Sequence, residues 1–173
     1  FQNRYHVSLN QAKRVAETAQ AFMDSLCHAK NVTVQDLAQW QQYLGWAGRL
    51  HEIGLDIAHT GYHKHSAYIL ENADMPGFSR KEQTILGHRG DMKKMADIVG
   101  SSEMLWYAVL SLRLAALFCR ARLPLDLPPQ TQLRADETGK GFILRISQNW
   151  LEQHPLIAAA LDYESAQWQK IDM

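Results

Sequence analysis

Histidines are concentrated in one segment of this chain of 173 residues. Four of the eight histidines lie between residues 50 and 69, where Glu52 directly follows His51. The histidines of this region and the one that follows it are His51, His59, His63, His65 and His88. Neutral imidazole and carboxylate groups bind divalent metals, whereas protonated imidazole donates hydrogen bonds to phosphate. The segment could therefore support metal-dependent hydrolysis or the binding of a phosphate-rich ligand.

Basic side chains accompany these histidines in a chain whose formal net charge is zero. Arginine binds phosphate oxygens through two parallel hydrogen bonds, and lysine acts as a point charge. We expect a phosphate polymer to need spaced cations along a groove and not one deep pocket. The predicted polyphosphate-binding residues are His63, Lys64, His65, Arg89, Lys93 and Lys94.

Helical periodicity predicts the elements that position these residues. Thr33 with an acidic residue in the following turn predicts a helix start, and Ser8 with Gln11 three residues later matches a capping box. The apolar stripe of the second helix passes through Leu44, and seven residues further it reaches His51. We therefore expect His51 to point into the protein, whereas the histidines from 59 to 65 are expected in a loop between Gly54 and a short helix.

The pattern changes after three prolines between residues 124 and 129. Apolar residues then alternate with polar ones on both sides of a glycine turn near Gly139, as in a strand hairpin, and Pro155 suits the first turn of a last helix. The sequence predicts a mainly α protein, with an all-helical domain at 1–125 and a small α+β domain at 126–173. Trp150 and Trp168 are expected to be exposed and available to an interface.

Composition restricts the function classes. A pI of about 7.3 gives no support to a globally basic nucleic-acid binder. The most apolar run, 104–118, is interrupted by Arg113 and is short for a membrane span, so we interpret it as a buried helix. Cys27 and Cys119 lack metal-ligand spacing and are expected to be core residues of a cytoplasmic protein without disulfides. Neither a membrane nor a nucleic acid is expected as a partner.

The pair His51-Glu52 resembles the metal-site signature of the His-Asp phosphohydrolase (HD) superfamily, with Glu in the place of Asp. The resemblance implies two further ligands, and these fall on Gln11 and near Ala116. The extra methylene of Glu displaces the carboxylate by about 1.3–1.5 Å, which is large against a ligand-distance tolerance of about 0.2 Å. We expect no metal here. If the chain does bind one, His51, Glu52, His59 and His88 are the candidate ligands.

A closer resemblance covers the whole chain and is strongest in the blocks 50–55, 59–70 and 72–78. These blocks resemble the C-terminal half of bacterial exopolyphosphatases and related guanosine pentaphosphate phosphohydrolases (Ppx/GppA). The resemblance implies a longer parent whose N-terminal half has an actin-like fold and performs catalysis, with Mg²⁺ as its expected cofactor. It implies that this region is a degenerate HD-like helical domain plus a small α+β domain without catalytic residues or a cofactor of its own. The missing initiator Met fits an excised C-terminal region.

Three hypotheses follow. In the leading one, the chain is the non-catalytic region of an exopolyphosphatase-type hydrolase, which binds polyphosphate, forms a homodimer and works with its N-terminal catalytic half. The alternative is a metal-dependent HD-type phosphohydrolase that is active in its own right. The third is a scaffold that serves only packing and dimerisation. The sequence does not choose between polyphosphate and guanosine pentaphosphate as the substrate of the parent.

Overall fold

The computed structural model describes residues 2, 5–28, 30, 32–73, 85, 91–139 and 141–171. Within these ranges, the helices are α1 (Leu9–Cys27), α2 (Val34–Leu50), α3 (Tyr62–Asn72), α4 (Met92–Val99), α5 (Glu103–Phe118), α6 (Gln148–Gln153) and α7 (Pro155–Gln169). Two 3-10 turns, Ile53–Asp56 and Cys119–Ala121, follow α2 and α5. The strands β1 (Gln132–Ala135) and β2 (Phe142–Arg145) pair antiparallel. This arrangement confirms the predicted mainly α chain with a small α+β part after it.

The core is built on α5, which is buried on almost every side. Its apolar residues face α1 and α2 on one side and the C-terminal part on the other. A helix that is apolar all round belongs in a protein interior or a membrane. The segment Glu103–Ala121 is long and apolar enough to span a membrane, and 78% of its most apolar stretch is buried inside the protein. Burial of this extent is what a core helix requires.

Close contact between α1 and α2 depends on Gly48. A Cβ atom on Gly48 would lie 2.5 Å from the Cα atom of Ala16, so a larger residue would force the helices apart. Beside this crossing, α1 buries residues at helical spacing, including Val15, Phe22 and Leu26. Ile85 is also fully buried. The predicted capping box at Ser79 and Glu82 lies outside the described residues.

The C-terminal part shares the core of the helical part. Trp168 of α7 packs edge-on against Trp106 of α5 and Phe142 of β2, with ring centroids 5.5 and 5.3 Å apart. Trp168 is only 5% exposed, and the half-buried Trp150 donates to the carbonyl of Asp126 at 3.0 Å. The expectation that both tryptophans are exposed is therefore wrong. The last helix folds back onto α5 and buries Trp168, and Trp150 packs against Phe118 of α5 with ring centroids 6.1 Å apart. The domain boundary at 125/126 stays a prediction.

The two predicted helix starts have different outcomes. Thr33 is the N-cap of α2, and its hydroxyl accepts from the backbone N–H of Asp36 at 3.0 Å, as predicted. Ser8 is the N-cap residue of α1, but its side chain makes no capping hydrogen bond. The predicted capping box is wrong because Gln11 is buried and bonds to a distant part of the chain instead.

Replacing Thr33 with Ala should lower the free energy of unfolding by about 1 kcal/mol, because one backbone N–H of α2 loses its acceptor. The matched variant Ser8→Ala should change it by less than about 0.5 kcal/mol, since no capping bond is lost. Urea unfolding followed by far-UV circular dichroism measures both. Equal losses in the two variants would contradict the assigned caps.

Both cysteines are free thiols inside the core, as predicted. Burial raises the pKa of Cys27 to about 11, and the negative charges of Asp24 and Glu103 act in the same direction. Burial also raises the pKa of Cys119. The thiols are therefore almost fully protonated at neutral pH, which makes them unreactive in the folded state.

The raised pKa of Cys27 predicts how stability changes with pH. In the unfolded chain this thiol ionises near its model value of 9.0, whereas in the folded chain it ionises near 11. The free energy of unfolding should therefore fall between pH 9 and pH 11, because the unfolded state releases the proton first. Urea titrations at pH 8 and pH 10.5 check this. Cys27→Ala should show a smaller decrease than the native chain, and an identical decrease would rule out this thiol as a cause.

Candidate phosphate-binding cleft and altered metal site

His51 ends α2 and points into the protein, as predicted. It is the C-cap residue of the helix, only 2% exposed, and its Nδ1 donates to the carbonyl of Gly48 at 2.6 Å. Its Nε2 lies 3.7 Å from Oε1 of Glu52. Both positions of the His-Glu pair are therefore interior positions.

The carboxylate of Glu52 is bound by Arg122. One terminal nitrogen of Arg122 donates to Oε1 of Glu52 at 2.7 Å. Arg122 follows the 3-10 turn at the end of α5, and its backbone has the left-handed conformation, with φ of 58°. The carboxylate is thus compensated by a guanidinium group from the far end of the core helix.

Gln11, at the position implied for an early His, is a buried hydrogen-bonding residue. Its Nε2 donates to the carbonyl of Cys119 at 2.8 Å, and its Oε1 accepts from Arg14 at 2.6 Å. Ala116, at the position implied for the late Asp, is buried and offers no ligand atom. Among the residues that the structure describes, no three His, Cys, Asp or Glu side chains converge as a metal site would require. These residues do not fit a His-Asp metal centre.

Gln11→Leu should lower the free energy of unfolding by about 1–2 kcal/mol, because it removes the buried bond to Cys119 and leaves Arg14 without its acceptor. Gln42→Leu is the matched control, since Gln42 is exposed on α2 and its side chain makes no hydrogen bond to any residue that the structure describes. We expect the control to stay within about 0.5 kcal/mol of the native chain. Thermal and urea unfolding measure the difference. A loss no larger than that of the control would contradict the bonding role of Gln11.

The docking of α3 positions the histidine-rich segment. Ser66 of α3 accepts from the N–H of Gly54 at 2.9 Å and donates to the carbonyl of His51 at 2.9 Å. A Cβ atom on Gly54 would come within 2.0 Å of the carbonyl oxygen of Tyr62, so only glycine allows this approach. Gly61, in the left-handed conformation with φ of 70°, then begins the helix.

The start of α3 at Tyr62 corrects the predicted loop. His63, Lys64 and His65 lie on the first turn of this helix, and only His59 lies in the preceding loop. The sequence predicted a later start of α3 because a glycine such as Gly61 is equally typical of a loop. As a result, His63 and His65 point in different directions around the helix.

A cleft of about 610 Å³ lies where α3, α4, α5 and α7 meet. Its lining residues are His59, Gly61, Tyr62, His63, Asp91, Arg113, Leu117, Arg120, Ala160, Tyr163, Glu164 and Gln167. Arginine, histidine, tyrosine and glutamine all donate hydrogen bonds, so the cleft offers several donors to an anion.

The two arginines of the cleft differ in whether a carboxylate forms an ion pair with them. Arg113 is buried, and its guanidinium group donates to both carboxylate oxygens of Glu164. Its Nη2 donates to Oε2 of Glu164 at 2.9 Å. Arg120 is exposed and has no ion-pair partner in the part of the chain that the structure describes. Arg120 is therefore a cation of this cleft whose charge no described carboxylate compensates.

Asp91 occupies the N-terminus of α4. Its side chain accepts from the backbone N–H groups of Lys93 and Lys94 at 2.9 and 3.2 Å. The hydrogen bond from Lys94 contributes most to holding the pKa of Asp91 below its usual range. A phosphate that bound these amides would have to displace a carboxylate, so anion binding at the cleft depends on side-chain donors.

The predicted phosphate-binding residues occupy several places. His63 lines the cleft, and so does His59, which was predicted only as a candidate metal ligand. Lys64 is exposed beside it, with its Cδ 3.9 Å from the point where a Cβ on Gly61 would lie. His65, Lys93 and Lys94 do not line the cleft. His88 and Arg89 lie outside the described residues.

Sequence reasoning missed Arg113 and Arg120. Arg113 was interpreted only as an interruption of an apolar run, although a charge inside a buried helix needs a partner or a ligand. That signal could have identified it. Nothing in the sequence near Arg120 indicates that the end of α5 borders the histidine-rich segment.

Known proteins match this chain along almost its whole length. The family model for domain III of the Ppx/GppA phosphatases matches residues 1–165. The chain belongs to the Ppx/GppA phosphatase family. The guanosine-5'-triphosphate,3'-diphosphate pyrophosphatase of Pseudoalteromonas translucida (strain TAC 125) is 35% identical over 178 residues, which cover 99% of this chain and 35% of that protein. The chain thus spans about a third of the length of this curated relative.

Membership in the Ppx/GppA phosphatase family confirms the family that the sequence resembled. It assigns the chain to the region that corresponds to domain III of these phosphatases. Within that region, the buried polar residues around His51 and Glu52 and the cleft of about 610 Å³ are the polar centres described above.

Proposed function

We propose that this chain is a non-catalytic region of a Ppx/GppA-type phosphohydrolase, and that it binds polyphosphate or a similar polyanion. The observation that carries the proposal is Arg120, which shares a cleft with His59 and His63 and whose guanidinium group has no ion-pair partner in the described ranges. Lys64 extends the cationic surface beyond the cleft. Polyanions bind to spaced donors of this kind through bonds to their phosphate oxygens.

A non-catalytic role agrees with how the altered metal site is bonded. Glu52 already accepts from Arg122, and Gln11 bonds to the end of α5. Both side chains are used to hold helices together. No observation among the described residues favours the alternative of an independent metal-dependent hydrolase, although bound Mn, Fe or Zn at about one per chain would revive it.

We further propose that the complete protein cleaves phosphoanhydride bonds with catalytic residues outside this chain, in an N-terminal half that uses Mg²⁺. Guanosine-5'-triphosphate,3'-diphosphate, which appears in the name of the relative, and inorganic polyphosphate are the two candidate substrates. A homodimer in the cytoplasm completes the proposal, and the two free cysteines suit that compartment. Sedimentation of a monomer at high protein concentration would contradict the dimer.

Polyphosphate binding should be independent of metal and sensitive to salt. Long-chain polyphosphate titrated calorimetrically into chelator-treated protein should bind at 50 mM salt. For about four phosphate contacts on a single-stranded polyanion, the affinity should fall about 50-fold at 200 mM salt. Absence of binding at low salt would contradict the proposal, and binding that returns only when Mn²⁺ is added would favour the metal-dependent alternative.

Arg120→Ala should weaken polyphosphate binding about tenfold, the effect of losing one charge-assisted hydrogen bond. It should also reduce the slope of log affinity against log salt by about one. Arg134→Ala is the matched control, because Arg134 is exposed on β1, makes no ion pair with another described residue and does not line the cleft. Equal effects of the two substitutions would show that only net charge matters. The double variant Lys64→Ala and Arg89→Ala should also weaken polyphosphate binding, and an unchanged affinity would contradict these predicted contacts.

A further inference from the structure

The outer edge of β2 carries backbone groups that point away from β1. The N–H of Asp136 donates to the carbonyl of Gly141 at 2.8 Å, so this pair is hydrogen-bonded. Bonded and non-bonded pairs alternate along an antiparallel ladder. In the observed register, Leu144 faces Leu133 in a non-hydrogen-bonded pair, and Phe142 faces Ala135 in the next pair of this kind. The N–H and C=O groups of Phe142 and Leu144 are therefore directed outward.

The opposite edge of the hairpin shows that such groups need partners. On β1, the outward N–H and C=O of Leu133 both bond to the hydroxyl of Ser25 of α1, at 3.1 and 2.7 Å. No comparable partner meets Phe142 or Leu144 in the described part of the chain. One edge of this small sheet is closed by α1, and the other has no hydrogen-bonding partner among the described residues.

The open edge borders an apolar groove of about 680 Å³ between β2 and α7. Its apolar lining residues are Leu110, Leu114, Leu133, Phe142, Ile143, Leu144, Ile146, Leu151, Leu161 and Trp168. Several of these, including Leu144 and Leu161, are only partly buried. The groove therefore combines unpaired backbone groups with uncovered apolar side chains.

The charge of the groove indicates what it would accept. Among the residues that the structure describes, its charged lining residues are Asp136, Asp162 and Glu164, and none of the described lysines or arginines lines it. Glu164 is compensated by Arg113 on the other side of α7, whereas Asp162 is exposed and makes no ion pair within the described ranges. The groove is thus acidic at its rim and apolar in its floor.

We propose that this groove binds an extended segment of a partner polypeptide, which adds to β2 as a third strand. Backbone bonds to Phe142 and Leu144 would supply affinity, as in other complexes formed by strand addition. One face of the segment would place apolar side chains on the groove floor, and basic residues would lie near Asp162. The four residues of β2 correspond to about 13 Å of extended chain, so the core of the segment is about four residues long.

Hydrogen exchange on the isotope-labelled chain tests the backbone contacts. The probe is the capped peptide Lys-Val-Thr-Val-Thr-Val-Lys, added in excess. The amides of Phe142 and Leu144 should become at least about tenfold slower in exchange, because each gains an acceptor. The amides of Ile143 and Arg145 already bond to β1 and should change little. Slowing in all four amides alike, or in none, would overturn the proposal.

Leu144→Pro tests the same contact from the protein side. It removes an outward N–H and leaves the bonds between β1 and β2 intact, as a proline at a sheet edge allows. Peptide affinity measured by fluorescence anisotropy should fall at least about tenfold, equivalent to one lost hydrogen bond. Peptide affinity equal to that of the native chain, with the fold retained, would overturn strand addition.

A charge reversal on α7 keeps the test valid if the proline variant does not fold. Asp162→Lys should weaken binding of the lysine peptide and strengthen binding of the peptide Glu-Val-Thr-Val-Thr-Val-Glu. Asp97→Lys, an exposed position on α4 that does not line the groove, makes the same change in net charge and should leave both affinities unchanged. Equal responses of the two variants would overturn the proposed contact between Asp162 and basic residues of the bound segment.

A second copy of the chain is the competing occupant. In that case the amides of Phe142 and Leu144 would slow with rising protein concentration and without peptide, and the protein would sediment as a dimer. That result would overturn the proposal of a separate partner segment. Concentration-independent exchange in the free protein, with slowing only on peptide addition, supports it.

Discussion

The burial of α5 is the constraint on which the rest of this structure depends. An almost wholly apolar helix of this length cannot be left in water, because each exposed leucine-sized side chain would cost about 1.5–3 kcal/mol. The chain covers it on one side with α1 and α2 and on the other with the hairpin and α7. The polar centres of the molecule consequently lie at the borders of this helix.

Buried or half-buried ionic contacts lie at two places around α5. Arg113, on the side facing α7, is compensated by Glu164, and Glu164 also accepts from the indole of Trp168 at 2.8 Å. At the end of the helix, Arg122 reaches back to Glu52, and Gln11 bonds to the carbonyl of Cys119. A charge in the interior must be paired or it destabilises the fold. These contacts therefore fix how the surrounding helices sit on α5.

Gln11 and Glu52, at positions where the sequence resembles the HD signature, have a structural role. Both are buried and bond to residues at the end of α5. Here, an amide and a carboxylate join the helices by hydrogen bonds to a carbonyl and a guanidinium group. Arg120, two residues before Arg122, pairs with no carboxylate of the described part of the chain and borders the cleft proposed for polyanions.

Much of this arrangement could be predicted from the sequence, because the signals are local. The helix start at Thr33 depends on residues one turn away, and the inward position of His51 follows from the helical stripe through Leu44. The three prolines between residues 124 and 129 predicted where the helical pattern ends and the strands follow. Signals of this kind need only the 3.6-residue and two-residue periods. The family could be predicted as well, because its motif blocks are contiguous.

Tertiary structure alone decided the features that join distant residues. The sequence shows Gln11 as half of a capping box, and only the burial of α1 against Cys119 makes it an interior donor. It shows Trp168 as an apolar residue near the end of the chain, and only the return of α7 onto α5 buries it. Arg120 and His63 are 57 positions apart in the sequence, and they share a cleft because the 3-10 turn after α5 and the first turn of α3 come together in the folded chain. Residue type and period determine local structure, whereas packing around the buried helix determines which side chains meet.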